Sequence, residues 1–329
     1  MISRRVLGGA CAAAAFLTAC HRPQPPMDEH MDHMAAGDLA APPAATGSAL
    51  QDDPNLPPSN NTAPARLAAS TRHSEWVKVA WEPGSKDSLM AFIVYPKTAN
   101  AKTPVVVVIH EIFGLSTWVR GVADQLAAQG YIAIAPDLVS RVRGGPSADE
   151  LRADSAQKII RGVNSVERNK GIDAVARYAM SQPSAAQKYA VIGFCWGGQT
   201  VWLHAINGGV PGLSGGVAFY GSAPFSPATE GKPAAPIADS LAKIHVPVML
   251  LSGSKDPRIG AGMPALDSAM VAMKKQYFGR NYEGAAHGFV RVQGDPKTPP
   301  DEAENKANVE AVKDAWPRTL AFLKANLGM

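Results

Sequence analysis

The sequence has 329 residues, 46% of them apolar, and a formal net charge of +4 at neutral pH. That length allows one large domain or two small ones, with material for a substantial core. The weak positive balance, without a lysine or arginine block, argues against a nucleic-acid partner.

The first residues read as a targeting segment. Arg4 and Arg5 precede a small, apolar run from Val6 to Ala19. The run is too short to span a bilayer comfortably and has the layout of a secretory signal. It ends in Leu17-Thr18-Ala19-Cys20, which resembles a bacterial lipobox. Cleavage before Cys20 would leave that thiol lipidated. An uncleaved hydrophobic anchor is the alternative. Ser3-Arg4-Arg5-Val6-Leu7 loosely resembles a twin-arginine signal, so the export route stays open between Sec and Tat. His21, in place of an aspartate after Cys20, points to the outer membrane. The expectation is an exported, lipid-anchored protein facing the periplasm, with residues 1–19 as its signal peptide. Of Cys11, Cys20 and Cys195, only Cys195 then remains as a free thiol, without an intramolecular disulfide partner.

Residues 20–70 are rich in Pro, Ala, Asn and Asp and poor in large apolar side chains. Such a stretch buries too little surface to offset its conformational entropy, and it reads as a flexible tether. Met27-Asp28-Glu29-His30-Met31-Asp32-His33-Met34 lies within it. Its Met and His side chains suit copper or zinc, or they are part of a solvated linker. Nothing preorganises these ligands, so no metal and no cofactor is expected.

The folded domain is expected over residues 71–329. Two alternating segments, 76–81 and 89–95, flank Pro83-Gly84-Ser85 and suggest an antiparallel hairpin. Val105 to His110 is a continuous β-branched run, as in a strand buried on both faces. A helix is expected over 118–129, closed by Gly130, then a buried strand over 131–135. One or two helices fit 148–181. A strand over 189–194 and a helix over 197–206 follow. Further strands fit 216–220 and 246–252, a helix 264–273, a strand 276–283, and a last helix 302–327 broken at Pro317. Alternating strands and helices imply an α/β fold, a mainly parallel twisted sheet with helices on both faces.

The most informative segment is Gly193-Phe194-Cys195-Trp196-Gly197-Gly198, where a buried strand turns into a helix. This is the G-x-nucleophile-x-G elbow of the α/β-hydrolase fold, with cysteine in place of serine. The neighbours of a nucleophile on such a turn come too close to tolerate side chains, and Gly193 and Gly197 provide the space. A helix N-terminus at Cys195 favours thiolate. In such folds the chain order is nucleophile, acid, histidine. Asp256 follows the strand 246–252, and His287 follows the last strand within Gly284-Ala285-Ala286-His287-Gly288-Phe289. His287 would take the thiol proton and later activate water, while Asp256 orients the imidazole. Two backbone amides would hold the oxyanion, those of Trp196 and Ile112. Trp118, Trp202, Tyr220, Met263 and Phe289 either line a pocket or, as apolar residues at such spacings more often do, fill the core.

His110-Glu111-Ile112-Phe113-Gly114, Ala135-Pro136-Asp137-Leu138, the Cys195 elbow and Ala286-His287-Gly288-Phe289 together resemble the dienelactone hydrolase family, from about residue 73 onward. The resemblance implies a Cys195–His287–Asp256 triad. It also implies that Glu111 meets the resting cysteine and helps generate thiolate when substrate arrives. Arg141 and Arg291 fall at positions that hold a substrate carboxylate in family members, a task suited to a guanidinium fork. A bulky Trp196 beside the nucleophile and the exported location depart from the best-known members. The expected function is hydrolysis of a small-molecule ester or lactone of the carboxymethylenebutenolide type through a thioester. The alternatives are a broad carboxylesterase or thioesterase on envelope substrates, a non-catalytic envelope binding module, and a metal-binding lipoprotein using the Met/His stretch. The sequence does not fix the oligomeric state.

Overall fold

The computed structural model describes residues 52–98, 102–147, 153–230, 232–294 and 301–329. Residues 1–51, which include the expected signal segment, Cys20 and the Met/His stretch, lie outside these. In chain order the elements are α1 (Ala63–Ala68), β1 (Ser74–Ala80), β2 (Ser88–Val94), β3 (Thr103–Ile109), α2 (Thr117–Ala128), β4 (Ile132–Asp137), α3 (Ser140–Arg143), α4 (Ala153–Ile160) and α5 (Ser165–Met180). Then come β5 (Ala185–Phe194), α6 (Trp196–Asn207), β6 (Leu213–Phe219), β7 (Phe225–Ser226), β8 (Ala235–Pro236), α7 (Ala238–Leu241) and β9 (Val248–Gly253). The chain ends with α8 (Pro257–Gly260), α9 (Met263–Ala272), β10 (Tyr277–Tyr282), α10 (Phe289–Val292) and α11 (Glu302–Leu327).

Eight strands form one sheet in the order β1-β2-β4-β3-β5-β6-β9-β10. β1 and β2 pair antiparallel as the hairpin around Gly84 requires, and β2 is also antiparallel to β4. All the other pairs of this sheet are parallel, and β7 and β8 form a separate antiparallel pair. Every residue of β3, β4 and β9 is buried, as continuous apolar runs covered on both faces should be. Val106 and Val108 share one core with Trp118, Val119 and Val122 of α2 and with Val312, Ala315 and Trp316 of α11. α5 and α6 pack on the opposite face. The resulting mainly parallel sheet, with an antiparallel N-terminal hairpin and helices on both faces, is the one anticipated from the strand–helix alternation.

Two local expectations change. α11 runs unbroken through Pro317. One missing backbone donor is outweighed there by a buried stripe from Asn308 through Ala311, Val312, Ala315, Thr319 and Leu323. Residues 52–69 also have a defined place in the fold. They lie along α2, with Leu56 and Ala63 buried. The prolines supply acceptors: Trp118 Nε1 donates to Pro58 O at 2.9 Å and Gln293 Nε2 to Pro57 O at 3.0 Å. Arg66 donates to Leu56 O at 2.9 Å, and Asn60 N to Arg291 O at 2.8 Å. This part of the expected tether belongs to the fold.

Candidate active site

At the C-terminal end of β5 the chain reverses into α6 through Cys195, which holds φ 55° and ψ −116°. A non-glycine residue is rarely found there, and such backbone persists only where its surroundings dictate it. The surroundings are main chain. A Cβ on Gly193 would sit 2.2 Å from the Gly197 carbonyl oxygen, and one on Gly197 would sit 2.4 Å from that of Ile109. Strand, elbow and the end of β3 therefore touch backbone to backbone. Cys195 N donates to Phe219 O at 3.0 Å, tying the elbow to β6. The thiol is half-buried at the N-cap of α6.

β9 and β10 end side by side, and their following loops are bound together. Ser254 N donates to Tyr282 O at 2.8 Å, Lys255 N to Ala285 O at 3.0 Å, and Gly284 N to Ser254 Oγ at 2.8 Å. These ties place Asp256 against His287, whose Nδ1–H donates to Asp256 Oδ2. Arg258 Nε donates to the other carboxylate oxygen at 3.0 Å. Burial would raise the Asp256 pKa, but His287 and Arg258 outweigh it and hold the carboxyl below the usual range. Burial would likewise lower His287. The charge of Cys195 and the bond to Asp256 outweigh that and push the imidazole up to about 10. Its remaining nitrogen, Nε2, is buried and lacks an aligned partner; Cys195 is the neighbour acting on it.

Glu111 and Ile112 follow β3 at the same end of the sheet, and both are buried. Glu111 Oε2 lies 3.1 Å from Arg291 Nε, an ion pair without the alignment of a hydrogen bond. Burial raises the Glu111 pKa, with Arg291 and His287 opposing. Among the described residues Glu111 is paired with Arg291. Arg291 also lies 5.1 Å over the Phe113 ring. The backbone N–H groups of Ile112 and Trp196 have no acceptor among the described residues. Arg141 is placed differently from Arg291. It pairs with Asp87 and Glu167 and stacks 3.9 Å over Trp81, with no contact to Cys195, His287 or Glu111 among the described residues.

Several residues escaped the sequence reading. Arg258 supports Asp256, and Asn308 Oδ1 accepts from Ala286 N at 2.9 Å, directly before His287. Asn308 interrupts the apolar stripe of α11, and that is the signal which could have exposed it. Tyr220, weighed chiefly as core, sets its ring edge-on to His287 at 5.1 Å, and its buried hydroxyl has no partner among the described residues. Trp118, Trp202, Met263 and Phe289 are core. No group of three His, Cys, Asp or Glu side chains that could hold a metal occurs among the described residues.

Comparison with known proteins identifies the family. The family model of the dienelactone hydrolase family matches residues 89–327. A Bradyrhizobium protein named a probable 2-oxo-3-(5-oxofuran-2-ylidene)propanoate lactonase is 28% identical over 263 residues, covering 79% of this chain and 98% of its own. A Saccharolobus solfataricus protein provisionally named a carboxymethylenebutenolidase is 29% identical over 267 residues, covering 72% and 93%. A Klebsiella pneumoniae crystal structure, provisionally a dienelactone hydrolase, superposes with a TM-score of 0.59 at 27% identity, covering 76% and 98%. The elbow, the matched span and these relatives together make the chain a member of the dienelactone hydrolase family, with the α/β-hydrolase fold of esterases and lactonases.

Proposed function

We propose that this protein hydrolyses a small ester or lactone, with Cys195 as nucleophile, His287 as base and Asp256 as its orienting carboxylate. The observation that carries the reading is the thiol on a strained elbow beside a histidine already bound to a buried aspartate. The Cys195 thiolate attacks the acyl carbon, and the carbonyl π electrons move to oxygen. The Ile112 and Trp196 amides stand free to hold that oxyanion. His287 has taken the thiol proton; collapse restores the carbonyl and breaks the C–O bond, and the departing enolate or phenolate oxygen takes that proton from His287. His287 then takes a proton from water, whose oxygen attacks the thioester, and Cys195 leaves. No cofactor enters the scheme.

For substrate we favour a lactone carrying a carboxylate, by analogy with the lactonase and butenolidase names of the relatives. Arg291 would grip that carboxylate. Arg141 is engaged with Asp87 and Glu167, and this leaves one guanidinium instead of two for the task. That observation favours a second reading, a broader carboxylesterase or thioesterase.

The test is turnover of cis- and trans-dienelactone, p-nitrophenyl acetate and a longer-chain p-nitrophenyl ester by wild type and Cys195→Ala. Turnover strongest on dienelactone and lost in the variant is expected. Turnover of simple esters alone keeps the mechanism and discards the lactone. Turnover that survives Cys195→Ala overturns the mechanism. Export and lipidation at Cys20 belong to the same proposal. Fatty-acid labelling that persists in Cys20→Ala would overturn them.

A further inference from the structure

His110 is fully buried and stands two residues before Ile112, whose amide is assigned above to the oxyanion. Leu138 N donates to its Nε2 at 3.1 Å. A backbone amide can only donate, so Nε2 presents a lone pair and the ring proton sits on Nδ1. Nδ1 is 2.5 Å from the Glu111 carbonyl oxygen and therefore donates to it. Gly114 N adds a longer bond to the same oxygen at 3.3 Å. Glu111 O and the Ile112 N–H belong to one planar trans peptide and point in opposite directions. Fixing the oxygen fixes where the Ile112 N–H points.

The same imidazole also reaches the second amide's residue. It stacks on the Trp196 ring at 5.5 Å between centroids, 13° from parallel. The Arg168 guanidinium lies 4.4 Å from that indole. A Cβ on Gly197 would come 2.5 Å from the His110 carbonyl oxygen, so the two backbones are in contact as well. The far end of the loop is held separately. Ser147 Oγ accepts from Leu115 N at 3.1 Å and donates to the buried Asp137 at 2.9 Å. Burial lowers the His110 pKa, so the ring stays neutral and its tautomer is set by Leu138.

We infer that His110 is a positioning residue for the oxyanion site, aiming the Ile112 amide through the Glu111 carbonyl while it braces Trp196. This rests on the hydrolase reading of Cys195. The two can be separated because thiolate alkylation needs no oxyanion. In alkylation by iodoacetamide, sulfur attacks the methylene carbon, the C–I bond breaks and iodide leaves. In acylation by p-nitrophenyl acetate, a carbonyl oxygen must become an anion.

The experiment measures both rates on the full chain for wild type, Cys195→Ala, His110→Phe and His110→Asn. Phe retains the stack and removes the donor, while Asn offers an amide N–H near the Nδ1 position. For His110→Phe, acylation is expected to slow about a hundredfold, as for a misdirected oxyanion donor, with alkylation unchanged. His110→Asn is expected to recover most of the acylation rate. Should the Phe variant not fold, His110→Gln replaces it, since its longer side chain reaches the Leu138 amide. Equal loss of both rates in a folded variant overturns the inference, as does no loss of acylation. If wild type shows no acylation that Cys195→Ala abolishes, the hydrolase reading itself fails and takes this inference with it.

Discussion

The backbone N–H of Ala286 donates to the side-chain oxygen of Asn308 at 2.9 Å, so the residue before His287 is held by the C-terminal helix as well as by the sheet. Asn308 is buried in the apolar stripe of α11, where an amide is tolerated only with partners. Replacing it with alanine leaves a part-buried N–H unpaired, which costs about 1–3 kcal/mol. Asn308→Ala is therefore expected to unfold at lower urea and to turn over ester more slowly. Asn308→Asp retains an acceptor and should keep more of the rate. Equal rates in the alanine variant and wild type would mean that the ties to Ser254 and Lys255 suffice to hold His287.

Arg258 offers a test of the acid side of the mechanism. The folded Asp256 carboxyl lies below its ordinary pKa of 3.8, because His287 and Arg258 together outweigh burial. A depressed carboxyl contributes stability above its unfolded pKa, and that contribution is lost as pH falls through the folded pKa. Removing Arg258 raises the folded pKa, so the loss begins at higher pH. Arg258→Gln should shift the acidic limb of the kcat/KM profile upward and leave the neutral plateau less affected. An unmoved acidic limb would mean that His287 alone sets the carboxylate.

Much of this was legible in the sequence, for physical reasons that differ by element. β3 and β9 announce themselves because strands buried on both faces need continuous apolar runs. The elbow is legible because Gly193 and Gly197 meet backbone, which no other residue permits. For Arg141, residue type and position do not reveal that Asp87, in the β1–β2 turn, and Glu167, on α5, pair with its guanidinium. Residues 52–69 misled. Low hydrophobicity suggested disorder, yet a proline-rich stretch loses little chain entropy on ordering, and its carbonyls find Trp118 and Gln293. In the sequence His110 stands out only as the first residue of the His110-Glu111-Ile112-Phe113-Gly114 motif. Its tautomer is set by Leu138, a partner 28 residues away that the motif does not reveal.

Arg291 and Glu111 form a mostly buried pair, and such pairs punish the loss of one member. Arg291→Gln is expected to cost about 3–5 kcal/mol. Burial already raises Glu111, and without the guanidinium it rises further. With the folded pKa above the unfolded value, the folded state holds a proton that the unfolded state has released. The stability of the variant should thus fall as pH rises above about 4.5, and its deficit should be larger at pH 8 than at pH 5. Urea unfolding at the two pH values measures this. If Arg291 grips a substrate carboxylate, KM for an acidic lactone also rises, while KM for p-nitrophenyl acetate stays put. A parallel rise in both would assign Arg291 to Glu111 alone.

Tyr220 has the unusual backbone φ of 38° and a hydroxyl that is buried without a partner among the described residues. Burial raises its pKa, and the charges of Glu111 and Cys195 add to this, so the hydroxyl is a proton donor at every relevant pH. A buried donor with nothing to donate to weakens the fold by about 1–3 kcal/mol. Tyr220→Phe removes that burden without changing the ring that meets His287 and Phe289. The variant is expected to melt higher than wild type, and to hydrolyse ester more slowly if substrate is the missing acceptor. The two readouts divide the explanations. Higher melting with slower turnover means that the hydroxyl is held for substrate. Higher melting with unchanged turnover means that it is a packing defect, and lower melting means that an ordered water already satisfies it.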